Sequence, residues 1–392
     1  MNTIRIKDKE TLLKIFRAIS WFDHIRWLVP ANYNFMKFFR EDLTNCEKIL
    51  SHWICYITDR QMPYEVIWDK GARIFSELVY DYMRNPSLAP KKILTVYYRE
   101  KNKEKSHYYF TSSDGSVTFA SRYITNDYQN IKQTLEILDH QKYNRNIVAF
   151  IIDIIKRFPD KDDLLVRVAC ALHLLTYQLN GRKANSPKNR MNIFKDNLFE
   201  KSLETFKKSS TTGKKRLWCS IRDYKKGLYN SIFIDAINEI TPSEANEIIT
   251  IWNNLPMSQI ELPGDVWNNN PLFRDNLLAN AIDLESIPKT WAMPDIVRNL
   301  YEQLKEIADQ YHFYPEQFDF TFDFVPRMCE KKFCHLCPFG PDGIDKTCIP
   351  SENKYCPVAL FSCGYTAICN GKDCELREGL TKGLCKSEAG QP

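Results

Sequence analysis

Apolar residues recur at intervals of three and four along most of this chain, the spacing that lays one face of an α-helix against a core. The pattern runs through TLLKIFRAISWFDHIRWLV (11–29), NCEKILSHWICYI (45–57), YEVIWDKGARIFSELVYDYM (64–83), IVAFIIDIIKRF (147–158) and DLLVRVACALHLLTYQL (163–179). It returns in MPDIVRNLYEQLKEIADQY (293–311), where Pro294 suits a first helical turn, and PEQFDFTFDFVPRM (315–328) reads as one more helix. One stretch breaks the rule. From Lys91 to Tyr123, β-branched and aromatic runs alternate with the polar turns NKEK and SSDGS, which predicts a small antiparallel sheet set between helices. The expected fold is therefore mainly α with a β insertion. Tyr97, Tyr98, Tyr108 and Tyr109 in that insertion have faces on which bases stack, although aromatic residues are common in any strand.

The pattern divides the chain into a helical region over 1–90, the β insertion over 91–125, a second helical region over 126–260, helices over 261–328 and a cysteine-rich end over 329–392. With 392 residues and 44% hydrophobic content the chain is able to bury full cores. No apolar run approaches the length of a membrane span, and MNTIRIKDKETLLKIF lacks the apolar segment and small-residue cleavage site of a signal peptide, so a cytoplasmic location away from membranes is expected.

Net charge is only +5, but between Arg182 and Lys226 fourteen Lys and Arg face four Asp and Glu, with a peak at Lys214, Lys215 and Arg216. A basic segment of this kind gains free energy from phosphate by releasing condensed counterions, which makes DNA a candidate partner. A solvated helical surface has a similar composition.

Nine of the thirteen cysteines fall in the last 64 residues, beginning with CEKKFCHLCPFGPDGIDKTC. In a reducing compartment such a cluster points to metal rather than disulfides. Cys329, Cys334, Cys337 and Cys348 are separated by four, two and ten residues, with a single CxxC. Four thiolates at uneven spacing suit a [4Fe–4S] cluster, which takes one Cys per iron, and a Cys₄ zinc site is the alternative. Cys356, Cys363, Cys369, Cys374 and Cys385 follow and offer a second metal or replacement ligands. Cys46, Cys55, Cys170 and Cys219 lie singly among apolar or aromatic residues and read as small buried hydrophobes.

The order of two helices, a Cys, a short spacer, CxxC, a longer spacer and a Cys resembles the iron–sulfur DNA glycosylases of the endonuclease III superfamily. Two upstream segments extend the resemblance. ELPGDVWNNNPLFRDNLL has Asp265 where the family has its catalytic aspartate, and ILSHWICYITDRQMPYEVIWDKGARIF has a helix, a polar turn with Asp59, Arg60 and Gln61, and a second helix. What the resemblance implies is a glycosylase-like helical architecture, base flipping assisted by the Asp59–Gln61 turn, and a base contact from Asn268. It also implies catalysis by Asp265, a structural cluster, and Lys331 and Lys332 near phosphate. Glu65, Asp69 and Glu77 are candidates for a second carboxylate.

The chain departs from the family in its cysteine spacing and in lacking the helix-hairpin-helix L-P-G-x-G. The corresponding stretch, TPSEANEIITIWNNLPMSQI, has no Lys for a Schiff base, so a monofunctional enzyme is expected. Hydrolysis of a modified base, in a role against phage, is the leading expectation. Similar hairpin-less relatives attach groups to a hydroxymethylated pyrimidine in DNA, which makes a transferase the second, and a non-catalytic, zinc-stabilised DNA-binding protein is the third.

Overall fold

The structure is a computed structural model and describes residues 3–16, 19, 35–59, 66–85, 98–101, 107–121, 123–158, 161–176, 198–208, 220–257, 260, 278–310 and 313–318. The chain forms two compact units, Asn34–Pro256 and a second in which Met1–Tyr33 joins Met257–Pro392. The second unit cuts across the linear division of the sequence, because the first residues of the chain fold with its last third.

Asn34–Pro256 is built around α1 (Asn45–Thr58), in which eleven of fourteen residues are buried. A helix enclosed on nearly every side occupies the centre of its domain. It packs against α2 (Ala72–Arg84), α3 (Ile124–Leu138), α4 (Ile147–Arg157) and α7 (Gly227–Ile240). Thr44 starts α1 through a capping box: its Oγ1 accepts from the Glu47 N–H at 3.3 Å, and its own N–H donates to Glu47 Oε2 at 2.8 Å. α4 is capped by Asn146, whose Oδ1 accepts from Val148 N–H at 2.8 Å and Ala149 N–H at 3.3 Å. α5 (Lys161–Leu175), α6 (Leu198–Lys208) and α8 (Ala245–Asn253) complete the helices of this unit among the described residues.

The periodic run from 64 to 83 is helical, but it opens on a π-helical turn, Val66–Gly71, before α2 begins. A Cβ added at Gly71, where the two meet, would make van der Waals contact with the Phe75 ring at 3.4 Å and with Phe119 at 3.5 Å.

The β insertion is a three-stranded antiparallel sheet in the order β1 (Tyr98–Lys101), β2 (His107–Thr111), β3 (Thr118–Phe119). Its inner face puts Phe110 and Phe119 against Phe75 of α2, at centroid distances of 5.3 and 5.7 Å. The β2–β3 turn follows the SSDGS sequence: Gly115 sits at φ 73°, where its N–H reaches the Ser112 carbonyl at 2.9 Å. Asp114 Oδ1 accepts from both the N–H and the hydroxyl of Ser116, at 2.9 and 2.6 Å. Glu77 of α2 then accepts from the N–H and hydroxyl of Ser113, at 3.0 and 3.2 Å, which pins the turn to the helix.

In the other unit, residues 4–8 run beside 281–283. Ile6 and Ile282 form an antiparallel bridge, and Arg5 O accepts from Asp283 N–H at 2.8 Å. Asp8 caps the helical residues 9–16 by accepting from the Thr11 N–H at 3.1 Å and the Thr11 hydroxyl at 2.8 Å. Phe16 stacks on Phe313 with centroids 4.0 Å apart, inside a core that also holds Ile4, Leu12, Val297 and Leu300. The single helix expected over 293–311 is instead two, α9 (Met293–Gln303) and α10 (Lys305–Gln310). The break falls at buried Leu304, and it lets the Tyr301 hydroxyl donate to Asp309 Oδ1 at 2.7 Å while Leu304 and Ala308 both enter the core. Pro294 opens α9 as expected. The expected helix at 315–328 begins as a 3₁₀ turn, Pro315–Gln317, and residues from 319 onward lie outside those described. Among the described residues no helix is long and apolar enough to cross a membrane.

Candidate functional site

Four chemically distinctive residues fall on one face of α1 and its cap: His52, Cys55, Tyr56 and Asp59, at the i, i+3, i+4, i+7 spacing that brings side chains into line. Asp59 ends the helix, with its N–H on the Cys55 carbonyl at 3.0 Å. Its half-buried carboxylate accepts from Trp68 Nε1 at 3.2 Å, which ties the end of α1 to the π-helical turn that leads into α2. Helical residues thus stand on both sides of residues 60–65, which lie outside the described residues.

Next to this face lie Ser220 and Tyr224, from the helical residues 220–224, and Tyr229 of α7. The His52 ring is 5.2 Å from Trp68, 5.2 Å from Tyr224, 4.5 Å from Tyr229 and 5.6 Å from Tyr56. Burial among these rings pushes the His52 pKa down to about 3, so the imidazole is neutral at physiological pH. The buried Cys55 thiol is raised well above its ordinary value, first by burial and then by the Asp59 charge. It is therefore held as a thiol, not as a nucleophilic thiolate. Cys46 and Cys170 are likewise free and buried, with burial pushing Cys46 up to about 11, which matches their reading as small hydrophobes. Cys219 lies outside the described residues. Among the described residues no three His, Cys, Asp or Glu side chains converge as metal ligands.

Among the residues expected to act as the catalytic aspartate, to contact DNA or to bind metal, Asp59 is the one that the structure describes. Arg60, Gln61, Lys214, Lys215, Arg216, Asp265, Asn268, Cys329, Cys334, Cys337 and Cys348 lie outside the described residues, as do Glu65, Lys331 and Lys332. Of the other candidate carboxylates, Asp69 is exposed and Glu77 is engaged by Ser113 and Arg73.

Part of the basic segment serves the fold itself. Lys207 pairs with Asp163 at 2.6 Å, buried Arg222 pairs with its neighbour Asp223 at 3.1 Å, and Lys225 Nζ donates to the Leu255 carbonyl at 2.8 Å. Burial lowers the Lys225 pKa to about 8.

Sequence reasoning passed over His52, Trp68, Ser220, Tyr224 and Tyr229. The helical spacing of His52 with Asp59 was a readable signal. Nothing local in the sequence links them to residues 220–229, about 170 positions away.

Comparison of the chain with protein-family models, with characterised proteins and with solved structures finds no match. The class that the fold defines is a mainly α-helical protein with a small antiparallel sheet.

Proposed function

We propose that this protein is a monofunctional DNA N-glycosylase-like enzyme that removes a modified base, acting against phage DNA. The observation that carries the reading is the order of three segments along the chain: the helix–turn–helix with Asp59, Arg60 and Gln61; the Gly264–Asp265 segment; and the four-cysteine array. The helices on either side of residues 60–65, held together through Asp59 and Trp68, support the first of these.

The reaction adds water to C1′ of the deoxyribose while the C1′–N bond breaks and the base leaves with a proton. Positive charge builds on the sugar as the bond lengthens, and a fixed carboxylate beside it stabilises that transition state and orients the water. Asp265 has that role. Extruding the base costs a few kcal/mol of lost stacking, which Gln61 and Arg60 offset by filling the gap. The Cys329, Cys334, Cys337 and Cys348 donor set matches the one-thiolate-per-iron chemistry of a [4Fe–4S] cluster, which in this scheme orders the C-terminal loop. Lys331 and Lys332 then meet phosphate, and Lys214, Lys215 and Arg216 supply further backbone contacts.

The test uses anaerobically purified protein, iron and zinc analysis, and alkali-induced incision of duplexes carrying different modified bases, with Asp265→Asn in parallel. Incision by the wild type and its loss in the variant is the expected result. Retained incision in Asp265→Asn removes that residue from the mechanism. Mass added to a nucleoside in digested DNA replaces hydrolysis with group transfer, and zinc without iron or incision replaces the enzyme with a binding protein.

A further inference from the structure

The small sheet has two chemically different sides. Phe110 and Phe119, packed on Phe75 of α2, define the inner one. Directly opposite residues on neighbouring strands share a side and successive residues alternate between sides. The register Tyr98↔Phe110 and Glu100↔Tyr108 therefore assigns positions 98, 100 and 108 to the inner side with Phe110. The pairs Arg99↔Tyr109, Lys101↔His107 and Thr111↔Thr118 occupy the outer side. Thr118 Oγ1 donates to Thr111 Oγ1 at 3.4 Å, as expected for residues on one side. Thr118 is exposed and Tyr109 half-buried, so the outer side reaches solvent at both.

This alternation sorts the charges and the tyrosines. Positions 99, 101, 107, 109, 111 and 118 hold an Arg, a Lys, a His, a Tyr and two Thr, and no carboxylate. The one acid of the three strands, Glu100, takes an inner position. Of the insertion tyrosines, Tyr109 is the one that the described strands place outside; Tyr98 and Tyr108 stand with Phe110, and Tyr97 lies outside the described residues.

Two fixed cations about 6.6 Å apart along one strand, beside an aromatic residue and two hydroxyls, complement a phosphodiester chain with unpaired bases. Each cation gains free energy by displacing condensed counterions. The aromatic ring stacks on a base of any identity, which a base still paired within a duplex does not offer. Hydroxyls donate to phosphate oxygens and fix the strand's position.

We propose that the outer side of the sheet, through Arg99, Lys101 and Tyr109, is a sequence-independent contact surface for single-stranded DNA. The choice of DNA rests on the base-excision reading; the surface itself rests on the strand register and the charge it collects.

The test is fluorescence anisotropy of the full chain with labelled oligothymidylate of about 16 nucleotides, repeated over a series of salt concentrations. The proteins are the wild type, the double variant Arg99→Gln with Lys101→Gln, Tyr109→Leu, Tyr109→Phe, and Lys289→Gln with Lys305→Gln. The last removes the same charge from exposed positions in the other unit. Saturable binding by the wild type is expected. In the Arg99 and Lys101 variant the slope of log affinity against log salt falls by about 1.4, the value for two phosphate contacts on a single strand. Tyr109→Leu binds about fivefold or more weakly with the slope unchanged, because the ring carries no charge. Tyr109→Phe restores binding, which separates stacking from a folding defect, and the Lys289 and Lys305 variant keeps the wild-type slope.

No saturable binding by the wild type, or an equal change of slope in the two charge variants, would overturn the proposal and leave a solvated strand face only. Equal affinity of Tyr109→Leu and wild type would do the same for the stacking role. Incision assays on the same proteins separate the two readings. Oligonucleotide binding through this face without wild-type incision keeps the surface and removes base excision. Wild-type incision with binding unaltered by the Arg99, Lys101 and Tyr109 substitutions keeps base excision and removes the surface.

Discussion

Replacing Glu47 with alanine tests what holds α1, and with it the His52 face, in place. The Glu47 side chain is 5% exposed and makes three contacts: Thr44 N–H at 2.8 Å, Arg84 Nη1 at 2.5 Å and Arg84 Nη2 at 3.4 Å. Loss of the capping contact costs about 1 kcal/mol. A fully buried pair broken on one side costs about 3–5 kcal/mol, but Arg84 is 36% exposed and stacks on Tyr80 at 3.7 Å, so water and the ring take back part of its charge. Discounting the pair to about 1–2 kcal/mol puts Glu47→Ala at about 2–3 kcal/mol in total.

Glu47→Gln keeps an acceptor for the Thr44 N–H and loses only the charge, so it costs about 1 kcal/mol. Denaturant unfolding followed by circular dichroism gives both values, and a double-mutant cycle with Arg84→Met isolates the pair at about 1 kcal/mol or more. A Glu47→Ala loss within about 0.5 kcal/mol of zero, or a coupling that small, would refute the argument that this carboxylate anchors the helix.

Three further outcomes follow from other parts of the structure. His52 has a folded pKa of about 3 against an ordinary 6.5, so between these values the unfolded chain binds the extra proton and stability falls as pH is lowered through that window. Urea titrations of the wild type and His52→Gln from pH 7 to pH 4 are expected to diverge, the variant losing less; parallel curves would show that the imidazole titrates freely. Gly115→Ala is expected to cost about 1 kcal/mol by thermal unfolding, and Gly115→Asn less, because φ is 73° with no atom within 4 Å of an added Cβ. An equal loss in both would make packing the cause. Phe75→Ala, which removes the ring under both Phe110 and Phe119, is expected to cost about 3–5 kcal/mol and to expose the amides of β2 and β3 to hydrogen exchange. Unchanged exchange there would detach the sheet from this core.

How much could be read in advance varied from one element to the next. α1 and α4 sit within a residue or two of their apolar runs, because an i, i+4 pattern reports a neighbour relation that the helix itself creates. The sheet was legible from the change of period and from SSDGS, in which Gly115 supplies the left-handed turn. The interruption at Leu304 was not, since LKEIADQ continues an acceptable helical pattern and only the fit of Tyr301 with Asp309 favours the break. Glu77 illustrates the same limit at a candidate site. Its sequence context allowed a catalytic carboxylate, and contact with Ser113 makes it an anchor for a turn 36 residues away.

The amino-acid sequence by itself determined that this is a mainly helical protein with a small antiparallel sheet, because both periodicities are properties of adjacent residues. It also set the order of its cysteines and its basic segment. Tertiary structure alone decided that residues 4–8 close against 281–283, and that His52 shares its surroundings with Ser220 and Tyr224. The reason is that partners so far apart meet only when whole faces are buried together.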